Sequence, residues 1–352
     1  MALLVTGGAG FIGANFVLDW FNENQEPIIN LDKLTYAGNY ENLLFVADDP
    51  RHTFVRGDIE DGKLVGQLFE KYQPRAVVHF AAESHVDRSI YGPEEFIRTN
   101  IVGTFRLLQA AREYWMRLSS HAQDTFRFLH ISTDEVYGTL SACDPAFRET
   151  NRYEPNSPYS ATKAASDHLV RAYHHTYGLP VLTANCSNNY GPFQFPEKLI
   201  PLMILQAIAG KPLPVYGDGL HVRDWLFVKD HCTALRRLLQ GGKPGESYNI
   251  GGLSERTNLD VVSTICDILD ELRPRADCQK FKSQIVFVND RPGHDRRYAM
   301  DISKVRHEVG WTPSESFETG IRRTVAWYLE NEQWVQNVMS DTYKNWLQKH
   351  YV

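Results

Sequence analysis

The chain has 352 residues, 43% of them apolar and 12% aromatic, enough to bury one large core or two smaller ones and too apolar for a disordered chain. Its net charge of −6, a pI near 6.1 and scattered rather than clustered Lys and Arg argue against a nucleic-acid or membrane-surface partner. No apolar run approaches the roughly 18 residues of a membrane span, and the first strand begins at Ala2 with no room for a leader, so a cytoplasmic protein is expected.

Short apolar runs at Ala2–Val5, Pro27–Leu31, His52–Val55, Ala76–Phe80, Phe126–Ile131 and Val181–Ala184 alternate with helix-length stretches, which predicts repeated βα units around a parallel sheet. In an open parallel sheet ligands bind beyond the carboxyl ends of the strands. The chemistry-bearing residues obey that rule: the glycine loop, Asp32, Asp58, Ala81-Ala82, Thr133 and Asn188 each follow one of these runs.

The first of them is Gly7-Gly8-Ala9-Gly10-Phe11-Ile12-Gly13, a G-x-x-G-x-x-G loop that leaves strand one and opens a helix. Amides and the positive end of the helix dipole can there face a pyrophosphate; the bland reading is a tight turn. Asp32 ends the second run 19 residues beyond Gly13, where a carboxylate accepts both ribose hydroxyls and repels an extra phosphate, so NAD is expected over NADP, with Lys33 the one residue that could soften that choice. Asp58 is a candidate adenine contact or, more plainly, the cap of a helix starting near Gly62. Ser84 and His85 follow strand four; Ser84 is assigned to the site and His85 to packing or capping.

Thr133-Asp134-Glu135 is the most informative run, because Tyr159 lies 24 residues beyond its Glu and Lys163 four further. Four apart on a helix, Tyr159 and Lys163 project from one face. A phenol ionises about three pH units too high to act as a base at neutrality. A lysine cation and an oxidised nicotinamide beside it would lower that value. Two adjacent carboxyls add acid–base chemistry, since repulsion and burial can hold one protonated and the other charged; without them the pair is a helix-start device favoured by the dipole. Residue types alone do not say which carboxyl is the acid.

After about residue 190 the strict alternation fades, and Gly191-Pro192, Lys211-Pro212-Leu213-Pro214 and Gly241-Gly242-Lys243-Pro244-Gly245 mark loops between shorter elements. The expected architecture is therefore α/β: a Rossmann-type doubly wound parallel sheet over residues 1–190, exchanging some later segments, and a smaller mixed α/β substrate-binding lobe over 191–352. The tail from Glu330 reads as helix with Trp334 and Trp346 partly buried. The five cysteines, Cys143, Cys186, Cys232, Cys266 and Cys278, are widely spaced without a C-x-x-C pair, so free thiols and no metal site are expected.

Together the glycine loop, Asp32, Asp58, Ala81-Ala82, Thr133 and the Tyr159/Lys163 pair resemble the extended short-chain dehydrogenase/reductase superfamily. Within it, Asp32 to Asn39, Ala81 to Ser89, Thr133 to Gly138 and Arg291-Pro292-Gly293-His294-Asp295 are similar to the branch that dehydrates dTDP-glucose.

That resemblance implies a homodimer packed through helices near Glu95–Tyr114 and Tyr159–Tyr177, and tightly bound NAD that is reduced and reoxidised within one cycle. Gly7, Gly10, Phe11, Ile12, Gly13, Asp32, Lys33, Leu34, Thr35, Asp58, Ile59, Phe80, Ala81, Ala82, Ser84, Thr99, Tyr159, Lys163 and Asn189 would line the cofactor. Ser84, Thr133, Asp134, Glu135, Asn188, Glu197, Lys198, Leu213, Pro214, Val215, Tyr216, Arg223, Asn258, Arg291, His294, Asp295 and Tyr298 would hold the sugar nucleotide. Tyr159 would deprotonate the C4 hydroxyl with help from Thr133 and Lys163. Glu135 would take the C5 proton and Asp134 protonate the departing C6 hydroxyl, giving a 4-keto-6-deoxy sugar nucleotide. A 4-epimerase would need no Asp134-Glu135 pair, a decarboxylase would need a second cationic cluster, and a binding protein on the same fold would need neither Tyr159 nor Lys163.

Overall fold

A computed structural model describes residues 2–339. Among them the strands are β1 (Leu3–Thr6), β2 (Ile28–Asp32), β3 (His52–Arg56), β4 (Ala76–His79), β5 (Arg127–Thr133), β6 (Val181–Cys186), β7 (Asn188–Tyr190), β8 (Leu213–Tyr216), β9 (Val222–Phe227), β10 (Ser247–Ile250), β11 (Glu255–Thr257) and β12 (Ile285–Val288). Seven form one parallel sheet in the order β10-β6-β5-β4-β1-β2-β3. The order reverses at β1, whose neighbours are β2 and β4, and the crevice of such a sheet opens there.

All six runs read from the sequence became strands, because β1, β2, β4, β5 and β6 are buried on both faces, as parallel strands covered by helices must be. The seventh strand, β10, lies beyond residue 190. It follows the Gly241 to Gly245 loop, and its four residues are too few to show a period. The helix Val228–Gly241 brings the chain back to the sheet and packs on the same core as the helix Phe11–Glu23. On the opposite face Gly62–Tyr72, Thr104–Trp115 and Pro158–Tyr177 contribute Leu68, Leu107, Leu108 and Val170.

The second lobe is built on β7, β8, β9, β11 and β12, and its own core includes Leu202, Val215, Ile265 and Ile321. Trp334 is buried, and its indole N–H donates to Asn42 Oδ1 at 2.8 Å, tying this end of the chain to the first lobe. Trp346 lies outside the described residues. No helix among the described residues is long and apolar enough to cross a membrane.

The loop after β1 needs glycine at its first position. Gly7 has φ +73°, and a Cβ there would sit 2.5 Å from the Ala81 backbone nitrogen. Gly7→Ala is therefore expected to destabilise the chain by about 2 kcal/mol or more, read as a lowered urea midpoint with an unchanged slope.

Candidate active site

The carboxyl ends of β1, β2, β4, β5 and β6 open into one cleft with a cavity volume of about 270 Å³, lined by residues of both lobes. Gly7, Gly10, Phe11, Ile12, Gly13, Asp32, Lys33, Thr35, Asp58, Ile59, Phe80, Ala81, Ala82, Ser84, Thr99, Tyr159, Lys163 and Asn189 line it, as do Thr133, Asp134, Glu135, Asn188, Glu197 and Lys198. Of the residues assigned to the cofactor only Leu34 is not in that wall. Its backbone instead donates to Asp32 Oδ1 at 2.8 Å, and its φ of 57° makes the turn that follows β2.

The first half of the cleft fits NAD. The helix Phe11–Glu23 starts at Gly10 without a side-chain cap, leaving its first amides for a ligand oxygen. A Cβ on Gly10 would meet only the Gly7 carbonyl, at 3.3 Å. Gly10→Ala is accordingly expected to leave the thermal midpoint within a few degrees of the parent while lowering NAD retention on gel filtration.

Asp32 accepts from Ala9 N at 2.9 Å as well as from Leu34 N, and a carboxylate has lone pairs left after two such bonds. Lys33 meets Thr99 Oγ1 at 3.1 Å and the Asp58 carboxylate at 3.5 Å, and its charge opposes the burial of Asp32 less than the Leu34 and Ala9 amides do. The helix Gly62–Tyr72 is capped by Asp61, not Asp58, which leaves Asp58 to the cleft. His85 caps the helix Val86–Tyr91, its ring accepting from Arg88 N.

The acid–base residues sit where β5 ends. Thr133 closes the strand, and Asp134–Tyr137 is a single 3-10 turn capped by the Thr133 hydroxyl, which accepts from Glu135 N at 3.2 Å. Thr133 donates in turn to Asp134 Oδ1 at 3.2 Å, and Asp134, 2% exposed, has no partner on its other oxygen.

Burial first, then the charges of Glu135 and Asp224, push Asp134 well above the usual carboxylate range. Burial raises Glu135 too, but Arg291, Lys198 and Arg223 oppose it. Burial thus raises both carboxyls, Asp134 well above its ordinary range, while three cations oppose it at Glu135, a difference that residue types could not show.

Pro at the first position and a Ser157–Ser160 capping box start the helix Pro158–Tyr177. It presents Tyr159, 8% exposed, and Lys163, 4% exposed, to the cleft. Lys163 Nζ donates to the Ile131 carbonyl at 2.7 Å. Burial and then the Glu135 charge hold the Tyr159 phenol well above its ordinary value, a hydrogen bond with Thr133 opposing. By itself the chain keeps the phenol protonated, so positive charge must reach it before it can act as a base.

The remaining substrate candidates divide. Arg223 lies 4.3 Å over the Tyr298 ring and donates to the Asp295 carbonyl at 2.9 Å; the Tyr298 hydroxyl donates to the Asp295 carboxylate, and Asn156 adds a second donor at 2.7 Å. Arg291 pairs with Asp87 at 3.0 Å, and Asn258 opens the helix Asn258–Leu272 beside His221.

Leu213 and Val215, by contrast, turn into the second lobe's core, because side chains alternate along β8; Pro214 and Tyr216 are the ones left partly exposed. That leaves the backbone of Leu213 and Val215 to border a nucleotide. Glu83, Cys186, Ser187, Gln194 and Phe195 line the cleft without having been singled out. Only Glu83, inside the quoted Ala81 to Ser89 run, carried any signal.

Sequence spacing also missed a cluster in the second lobe. His221, Asp290 and His294 bring one ligand-type atom each within 4.8 Å of one another. The rings are face to face, 3.7 Å apart and 11° from parallel, so their lone pairs run in parallel planes, and both meet the Asp290 carboxylate at 3.3 and 2.6 Å. That is the geometry of a ring stack in which His294 alone hydrogen-bonds Asp290; a shared ion needs converging lone pairs.

Glu197 links the halves of the cleft. It accepts from Tyr36 OH at 3.1 Å and Arg88 Nε at 3.2 Å, and Arg88 lies 3.7 Å over the Tyr36 ring. Burial raises its carboxyl from 4.5 to about 7 against Lys198 and Arg88. A folded value above the unfolded one adds stability that is full below pH 4.5 and lost as pH rises through about 7. Over that window the parent should lose ~3 kcal/mol relative to Glu197→Gln in urea unfolding.

A family profile described as GDP-mannose 4,6 dehydratase matches residues 4–324. The chain is 62% identical over 341 residues to a dTDP-glucose 4,6-dehydratase of Xanthomonas campestris pv. campestris, covering 97% of each chain. A solved dTDP-glucose 4,6-dehydratase from Streptomyces venezuelae, with NAD and TYD bound, superposes with a TM-score of 0.87 at 45% identity over 96% of this chain and 100% of that one. Another, from Bacillus anthracis in complex with NAD, gives 0.85 at 44% identity over 96% of this chain and 99% of that one.

Proposed function

We infer the activity from family and site together: the chain belongs to the GDP-mannose 4,6 dehydratase family of extended short-chain dehydrogenases, and its cleft carries two adjacent carboxyls, Asp134 and Glu135, beside the Tyr159/Lys163 pair. It is an NAD-dependent hydro-lyase that converts dTDP-glucose to dTDP-4-keto-6-deoxyglucose and water. The Asp134-Glu135 pair in the cleft carries that reading, because an epimerase on the same fold has no proton to take from C5 and no hydroxyl to expel from C6.

NAD in the glycine-loop half supplies the reversible two-electron chemistry, a hydride taken from C4 and returned to C6, and places a positive charge near Tyr159. Tyr159 accepts the C4 hydroxyl proton, helped by the Lys163 cation four residues on and by Thr133 on the same oxygen. The C4 ketone acidifies the C5 hydrogen. Glu135 removes that proton, Asp134 protonates the leaving C6 hydroxyl, and Glu135 later returns a proton to C5. Lys198, Arg223 and Arg291 surround Glu135 with positive charge and can hold the diphosphate as well.

Ile97, Val102, Phe105 and Tyr177 are exposed apolar side chains on the two helical segments expected to pair in a homodimer, and they support that assembly. A cytoplasmic location and a role in deoxysugar synthesis, dTDP-rhamnose first, complete the reading. The test is to supply dTDP-glucose and UDP-glucose without added cofactor or reductant. A 4-keto-6-deoxy product from dTDP-glucose, made at least tenfold faster than from UDP-glucose, is expected; product from UDP-glucose alone would overturn the nucleotide assignment.

A further inference from the structure

Asp167 lies one helical turn beyond Lys163, 4% exposed, with no role in the steps above. Its carboxylate is gripped from three separate elements. Ser132 Oγ donates to Oδ2 at 2.7 Å and His130 Nε2 meets Oδ1 at 3.1 Å, both from β5; Tyr153 OH donates to Oδ2 at 3.0 Å from the preceding loop; Asn185 Nδ2 donates to Oδ2 at 3.3 Å from β6. Three donors and the His130 ring nitrogen thus converge on one buried carboxyl.

Four residues apart on a helix, Lys163 and Asp167 have Cβ atoms about 5–6 Å apart on one face. The hydrogen bond of Lys163 goes to a neutral carbonyl, so its buried ammonium needs compensating charge from elsewhere. Burial lowers Lys163, and Asp167 is the largest influence raising it.

Burial bears on the other titratable groups packed around this spot, and Asp134 and Glu135 act on Cys186 beside it. Burial drives His130 on β5 down to about 4 and His79 on β4 well below its ordinary value. It pushes Cys186 on β6 up to about 12 and raises the phenols of Tyr137 and Tyr153. Three consecutive residues of β5 also serve three parts of the site: the Ile131 carbonyl takes Lys163, the Ser132 hydroxyl takes Asp167, and Thr133 reaches Asp134.

We propose that Asp167 is a positioning residue whose buried carboxylate, fixed by Ser132, His130, Tyr153 and Asn185, keeps the Lys163 ammonium charged behind Tyr159. This rests on the dehydratase reading for its turnover assay, but the charge state of Lys163 can be measured without turnover.

Asp167→Asn keeps the shape and removes the charge. In the NAD-loaded enzyme the alkaline limb of kcat against pH is expected to move down by roughly one to two pH units, the size of a charge–charge interaction over a few ångströms at partly buried sites. Asp167→Glu should restore most of the shift, and Tyr153→Phe, which removes one donor and leaves the carboxylate, should not move the limb. An Asp167→Asn enzyme slowed equally at every pH would mean that Asp167 only packs, and the proposal would fall.

Should that variant not fold, carbon-13-labelled lysine in the unaltered holoenzyme decides by NMR titration. A Lys163 signal still that of an ammonium at neutral pH supports the proposal. A neutral amine overturns it, whatever the substrate proves to be.

Discussion

Glu135→Gln should lower kcat for dTDP-glucose dehydration about 10²–10⁴-fold, the usual contribution of a positioned general base. The amide is nearly isosteric and keeps the single turn that Thr133 caps, so folding and NAD content should match the parent. What it loses is the carboxyl on which Arg291, Lys198 and Arg223 act against burial. The loss should fall on one step. Without a base at C5 the chain can still form the C4 ketone, so a single turnover should show nicotinamide reduction at a near-parental rate followed by a stalled elimination. Stopped-flow absorbance separates the two.

Tyr159→Phe should be of comparable size, about 10²–10⁴-fold in kcat, and should fall on the other step. In the proposed mechanism the phenol accepts the C4 hydroxyl proton, and its hydroxyl is the only group the substitution removes. Nicotinamide reduction itself should then disappear. The complementary measurement starts from the 4-keto-6-deoxy product in deuterated water, where the ketone is already present. Exchange at C5 should persist in Tyr159→Phe and vanish in Glu135→Gln. If both variants lost exchange equally, the separate roles assigned to the two residues would be wrong.

These roles were legible in the sequence to different depths. The glycine loop, Asp32, Thr133-Asp134-Glu135 and Tyr159/Lys163 are local patterns whose spacing carries their chemistry, and each came to the cleft because it follows a strand of a parallel sheet. The different surroundings of Asp134 and Glu135 were not legible, since Arg223, Arg291 and Lys198 are all distant in sequence.

Asp167 was silent for the same reason. Its donors lie 14 to 37 residues away in sequence, and only the fold shows that they converge. The strand β10 was hidden by its shortness, and the buried positions of Leu213 and Val215 by reading a β-strand as a turn. In each of these cases tertiary contact, rather than local propensity, decided the outcome.

The most direct test of dehydration by internal oxidation and elimination is one incubation of the purified protein with dTDP-glucose in deuterated water, without reductant. The expected product is dTDP-4-keto-6-deoxyglucose with deuterium at C5 and a C6 methyl group carrying the hydrogen that began at C4. Recovery of dTDP-galactose with no deuterium at C5 would contradict it and make the chain a 4-epimerase.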